Sequence, residues 1–346
     1  MYKGGKYMGL FNSKTLSIDF GSKYLKFAVG EYKNNHLVID QLFTKELNEG
    51  VITNGKIDEF NLLEKTIAGM IKEKRVKAKN VSFTTASSDV IKREVIVPIV
   101  DVEDESSLIE FEIEQYLPGP IREYVIQSRE LGFTEVDNEN RKRLLVAAMP
   151  TDMADLYFAL ADSLKLKPLR FDMHCNVISK LMAYNNLNSA GDAFKRESKL
   201  IVEINHHFID VFILEKGKYK FSRRIFSGIQ ELIRLMNVPH EEIENINFKN
   251  LLKDEDITVL QEVDYWIDEI RKIIKYYEDL KEENKIDKVI LHGDGALIEG
   301  VDTSFTNRLG VKTEIFEVNS VVDFNDKTNV DDLAGYMNAI GALIDE

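Results

Sequence analysis

Two stretches of this chain, about half its length apart, carry the same pattern, and that repeat limits the folds open to it. Residues 16–29 read LSIDFGSKYLKFAV and residues 200–213 read LIVEINHHFIDVFI. Aligned on Asp19 and Glu203, each has one acid inside an apolar run, a tight turn two residues on, and a second apolar run. Phe27 falls opposite Val211, Val29 opposite Ile213 and Glu31 opposite Glu215. Turn residues follow at the same offset, Lys33-Asn34-Asn35 in one copy and Lys216-Gly217-Lys218 in the other, each leading into a further strand-like run. Helical periodicity comes next, through Phe60, Leu63, Ile67, Met70 and Ile71 in the first unit. In the second it runs through Val259, Val263, Trp266, Ile270, Ile273, Tyr277 and Leu280. Short strands at 81–85 and 289–291 close the units. The pattern predicts an α/β fold of two duplicated lobes facing a cleft.

Proline placement marks an insertion into the first unit. Five of the six prolines, Pro98, Pro118, Pro120, Pro150 and Pro168, fall in one stretch. Between them lie a strand near 90–97, an acidic helix near 103–117 that the Pro118-Gly119-Pro120 turn stops, strands near 124–133 and 143–148, and a helix near 152–164. We read 90–167 as a small inserted α+β subdomain.

Composition narrows the function classes. With 45 Lys+Arg against 59 Asp+Glu, the net charge is −14, and nothing resembles the basic stripe of a nucleic-acid binder. The lone Cys175 excludes an intrachain disulfide, fits a reducing compartment, and sits in an apolar helical start that points to core packing. No apolar run is long enough to span a bilayer. The start of the chain, MYKGGKYMGLFNSK, mixes lysines with Met8, Leu10 and Phe11 and lacks a signal-peptide core, so 1–14 reads as a flexible basic-apolar leader.

Two glycine turns carry the chemistry. Asp19-Phe20-Gly21-Ser22-Lys23 stands at the turn of the first hairpin. A positive φ at Gly21, backbone N–H groups, Ser22, and the charges of Lys23 and Lys26 would suit a phosphate cradle. Asp19 beside it would hold a metal-bound water. Gly293-Asp294-Gly295-Ala296 follows a strand, a nucleotide-binding context, although the next glycine, Gly300, does not fit the dinucleotide fingerprint. On the long helix before it, Glu269, Arg271 and Lys272 are candidates for a ribose contact, with a solvated charged face as the alternative.

Taken together, Ile18–Ser22, Glu203-Ile204-Asn205 and Gly293–Ala296 resemble the two phosphate loops and the adenosine motif of the actin-like ATPase superfamily. Within it the chain resembles the type IV pilus assembly family PilM, related to the cell-division FtsA proteins, through 18–26, the run Glu112–Pro118, 224–228 and 291–300. This resemblance implies an actin-like fold with an FtsA-like inserted subdomain. The first lobe would comprise 15–89 and 168–198, the second 199–330, and 331–346 would be a C-terminal helix returning to the first lobe. It implies ATP with Mg2+ at Asp19, Gly21, Ser22, Lys23, Lys26, Glu203, Asn205, Glu269, Lys272, Gly293, Asp294, Gly295 and Ala296. It also implies a cytoplasmic scaffold at the inner-membrane face, touching the membrane only peripherally. Its partners would be the N-terminal tail of the membrane protein PilN, held between first lobe and insertion, and the assembly ATPase complex. Self-association is left open. The chain departs from the family pattern where His206, His207 and Phe208 bring bulk to the second loop and Asp294 replaces a glycine, so hydrolysis should be at most very slow. A faster actin-like or FtsA-like ATPase, and a scaffold without nucleotide, are the alternatives.

Overall fold

Both repeats fold as hairpins whose registers match residue for residue. The computed structural model describes residues 14–187, 193–236, 247–252, 256–318, 322–325 and 332–345, so the leader before Lys14 lies outside the described residues. In the first unit, β1 (Thr15–Phe20) pairs antiparallel with β2 (Tyr24–Lys33), placing Asp19 opposite Lys26. β3 (His36–Glu46) extends the meander, and the small hairpin β4 (Ile52–Thr53) and β5 (Lys56–Ile57) leads to α1 (Phe60–Glu73) and β6 (Asn80–Thr85). The insertion supplies β7 (Ile91–Pro98), α2 (Val102–Glu114), β8 (Tyr124–Val136) and β9 (Glu139–Pro150). The chain then forms α3 (Thr151–Ser163), β10 (Lys167–Met173), α4 (His174–Leu187) and α5 (Ala193–Arg196).

In the second unit, β11 (Ser198–Ile204) pairs antiparallel with β12 (Ile209–Glu215), placing Glu203 opposite Asp210, at the offset of the Asp19–Lys26 pair. β13 (Lys218–Ile225), α6 (Ile229–Leu235), α7 (Ile257–Asp279), β14 (Lys288–His292), α8 (Val301–Leu309) and β15 (Thr313–Ile315) follow. Two further elements, β16 (Val322–Phe324) and α9 (Met337–Gly341), return to the first lobe. The first sheet runs β10-β6-β1-β2-β3-β16 and the second β13-β12-β11-β14-β15. Even the hairpin turns agree, with Gly21 N–H donating to Tyr24 O and Asn205 N–H to Phe208 O.

The strand β11 is buried along its whole length, which explains its nearly unbroken apolar run. On one face Leu200, Val202 and Ile204 join a core with Trp266 and Ile270 of α7. Ile201 belongs to the other core, with Val177, Ile178 and Leu181 of α4. Helix α4 is therefore packed between the lobes. The insertion has its own small core, where Ile109 and Ile113 of α2 cover Val95, Val97, Leu144 and Val146.

Two boundaries differ from the sequence reading. Helix α3 packs Tyr157, Leu160 and Ala161 into the first-lobe core, so the compact insertion is 91–150 and its last helix belongs to the host lobe. The return to the first lobe begins by Val322, in register with Leu37, ahead of 331. Among the described residues, no helix is long and apolar enough to cross a membrane.

Trp266 is fully buried and its indole N–H donates to Ser227 Oγ at 2.8 Å. Trp266→Ala should cost about 3–5 kcal/mol in urea unfolding, whereas Phe111→Ala, at a side chain 73% exposed, should change stability by less than about 0.5 kcal/mol.

Candidate functional site: the interlobe cleft and the groove beside the insertion

Duplication brings the two repeat acids, Asp19 and Glu203, to the same place from opposite lobes. Both are buried, and the ring of His174, the first residue of α4, lies between them. His174 Nε2–H donates to Asp19 Oδ1 at 2.7 Å and Nδ1–H to Glu203 Oε2 at 2.9 Å. Both nitrogens face a carboxylate, so the doubly protonated imidazolium satisfies both. Asn338 of α9 completes the cluster, donating to Glu203 Oε1 at 2.7 Å. Burial alone would push the His174 pKa down; the Glu203 and Asp19 carboxylates outweigh it and hold the ring well above its ordinary value. Burial would likewise raise the Glu203 carboxyl, but the imidazolium facing it holds it far below the usual carboxylate range. His292, in register with Glu203 on β14, is driven by burial down to about 4 and stays neutral.

In front of this cluster lies a cavity of about 30 Å³, lined by Asp19, Gly21, Ser22, Lys23, Lys26, Asn205 and Asp294 among others. That is room for about one or two waters, against roughly 300–1,000 Å³ for a small-molecule site. The cations expected to meet phosphate are committed to carboxylates. Lys26 pairs with Asp294 across the cleft and donates to Gly335 O at 2.7 Å, and Lys23 pairs with Glu46 at 2.5 Å. A divalent ion between Asp19 and Glu203 would have to displace the His174 ring. His206 also faces the cavity, edge-on to Tyr24, its pKa held down to about 3, chiefly by burial. Asp210 is held bidentately by Arg224 (2.8 and 2.7 Å), which also donates to Asn54 of the other lobe at 2.6 Å.

The glycines serve packing. Gly21 does not take a positive φ; a Cβ there would meet Tyr24 O at 2.7 Å, so the bare backbone closes the hairpin turn. Gly293 does take a positive φ of 86°, and a Cβ on Gly295 would lie 2.1 Å from Ile204 Cγ2, so this turn is pressed against the second loop. Ala296 is buried behind it. Of the predicted residues, Asp19, Gly21, Ser22, Lys23, Lys26, Asn205 and Asp294 line the cleft; Glu203 lies behind it on His174, and Gly293, Gly295 and Ala296 belong to the turn that carries Asp294 without lining it themselves. Glu269 and Lys272 are not among the residues lining it; they pair with each other at 2.5 Å on the exposed face of α7. Sequence reasoning missed His174 and Asn338. The one available signal was a histidine at the start of a helix whose Val177, Ile178 and Leu181 form an apolar stripe.

A second concavity, about 650 Å³, lies between the insertion and the first lobe. Its floor is the face of the inserted sheet opposite α2, with Val125, Leu145, Ala147 and Met149. Phe158 of α3 and Leu169 and Phe171 of β10 form the facing wall. β8 and β10 are each the edge of their sheet. Four cations, Lys92, Arg129, Arg170 and Lys180, stand against two carboxylates, Asp172 and Asp345, in a chain that is acidic overall.

Removing His174 would leave two buried carboxylates facing each other. His174→Ala should therefore cost about 3–5 kcal/mol, and His174→Gln less, since it keeps a donor. Because the folded pKa is raised, the charge-dependent stability is full below about 6.5 and is lost as pH rises through the folded value. Thermal midpoints taken against pH should show the wild-type advantage over His174→Gln shrinking above neutrality.

The family model of the type IV pilus assembly protein PilM matches residues 17–343. The solved PilM-PilN type IV pilus biogenesis complex is similar at TM-score 0.79 and 19% identity, over 96% of this chain and 98% of that one. The ethanolamine utilization protein EutJ from Carboxydothermus hydrogenoformans gives 0.53 and 11%, over 96% and 90%. MreB 5 of Spiroplasma citri, solved bound to AMPPNP, gives 0.52 and 10%, over 95% and 94%. These likenesses show the actin-like fold, and the family match covers both lobes and the insertion: the chain belongs to the type IV pilus assembly protein PilM family.

Proposed function

We propose that this chain is a scaffold of the type IV pilus assembly machinery, working at the cytoplasmic face of the inner membrane. It holds the N-terminal tail of PilN in the groove between insertion and first lobe, and links that protein to the assembly motor. The observation that carries this reading is the groove itself. Its volume, apolar floor and two flanking sheet edges suit an extended peptide, which can add main-chain hydrogen bonds to an open edge while its side chains enter apolar pockets. The likeness to the solved PilM-PilN complex supports PilN as the occupant. Mg-ATP is the proposed ligand of the cleft, supported by the fold shared with a nucleotide-bound MreB. With the cleft filled by its own side chains, nucleotide acts by changing the angle between the lobes, and no hydrolytic step is assigned.

Titration of the cognate PilN tail peptide tests the reading. Phe158 is 58% exposed and Val125 38%, so Phe158→Glu and Val125→Asp should leave the fold intact and weaken the peptide at least about ten-fold, the scale of an interface hot spot. Ile91 is in register with Ala148, so the ends of the insertion lie side by side. A chain with 91–150 replaced by a short linker should retain a cooperative thermal transition and lose the peptide. Undiminished affinity in these folded variants would move the partner site elsewhere.

A further inference from the structure

The Lys26–Asp294 pair does more than join the lobes. Asp294 opens the turn after β14, its neighbour Gly293 at φ 86°. Its carboxylate lines the cleft with Lys26, Gly21 and Ser22, where the phosphates of a nucleotide would lie on the reading above. The Lys26 and Asp294 side chains are only 9% and 16% exposed. Gly335 stands over the pair, since a Cβ there would come within 3.0 Å of both Lys26 Nζ and Asp294 Oδ1. Its carbonyl takes a further hydrogen bond from Lys26. The lysine ammonium is thus already in charge-assisted contact with an anion. The bound anion belongs to the chain.

We propose that Asp294 is a built-in substitute for phosphate, which sets the affinity of the cleft for nucleoside triphosphates by competing for Lys26. This rests on the reading that nucleotide enters the cleft. A triphosphate must first part Lys26 from Asp294, and it then lies beside a carboxylate that repels it. A few residues away the arrangement recurs in reverse sign, with the His174 imidazolium standing between Asp19 of one lobe and Glu203 of the other, where a cation would otherwise balance them. The closed cleft therefore carries its own anion and its own cation.

The test uses the full chain with ATP as probe, with Mg2+ and with chelator, read by calorimetric titration and by the ligand-induced shift of the thermal midpoint. Asp294→Gly and Asp294→Asn should each bind ATP at least about ten-fold more tightly than wild type, and show a larger ligand-induced shift at equal ATP. Adding Lys26→Ala to Asp294→Gly should abolish that gain. Without ligand, both Asp294 variants should melt below wild type, because Lys26 loses its partner. Asparagine keeps the side-chain volume, so agreement between the two variants separates charge from backbone effects. If wild type binds and the Asp294 variants bind with equal affinity, the substitution role is wrong while the nucleotide reading stands. If no form binds ATP at millimolar concentration, both are wrong.

Discussion

The imidazolium between Asp19 and Glu203 is the interaction on which the rest of the molecule depends. Folding the same hairpin twice and facing the copies sets two carboxylates in one dry place, and burying each costs several kcal/mol unless a cation meets it. α4 delivers that cation from its first residue, which fixes where the helix starts and why it runs between the two sheets. The positive end of the helix adds to the balance. α9 then returns so that Asn338 can occupy a remaining carboxylate oxygen. Sheet packing, the central helix and the chain terminus all converge on neutralising one pair of charges.

Much of this was legible in the sequence because it is local. The offset between the repeats gave the two hairpin-led units, and the proline cluster gave the insertion. What could not be read are contacts between distant residues: His174 and Asp19 are 155 positions apart, Asn338 and Asp19 319. Helix α3 shows a second limit. Periodicity shows that Met153, Tyr157 and Leu160 share a face, but not which core receives it, and two flanking prolines suggested the wrong one. The three residues of β16 are too few to announce a strand. For Glu269 and Lys272 the spacing was informative in another sense, since residues three apart on a helix are neighbours and can satisfy one another.

The insertion is attached to more than its host. Its β7 carries Glu94, which accepts from Arg143 at 2.7 Å and lies 4.0 Å from Lys220 on β13 of the second lobe. Leu131 and Leu145 of the inserted sheet share a core with Tyr219 of the same strand. The inserted sheet thus rests on both lobes while its groove is shared with only one. The floor of the groove and the second lobe are therefore joined through packing and not through a shared ligand.

The early return of the chain at β16 has a mechanical consequence. The second lobe is one continuous stretch, joined to the first by a strand entering at Ser198 and another leaving after Ile315, the latter held where Asn185 of α4 donates to Glu317 O at 2.8 Å. A body tethered at two separate points pivots about the line through them more readily than it slides past its neighbour or drifts away from it. Pivoting thus becomes the motion the two crossings oppose least, and a distance measured across the cleft is the quantity that would follow it.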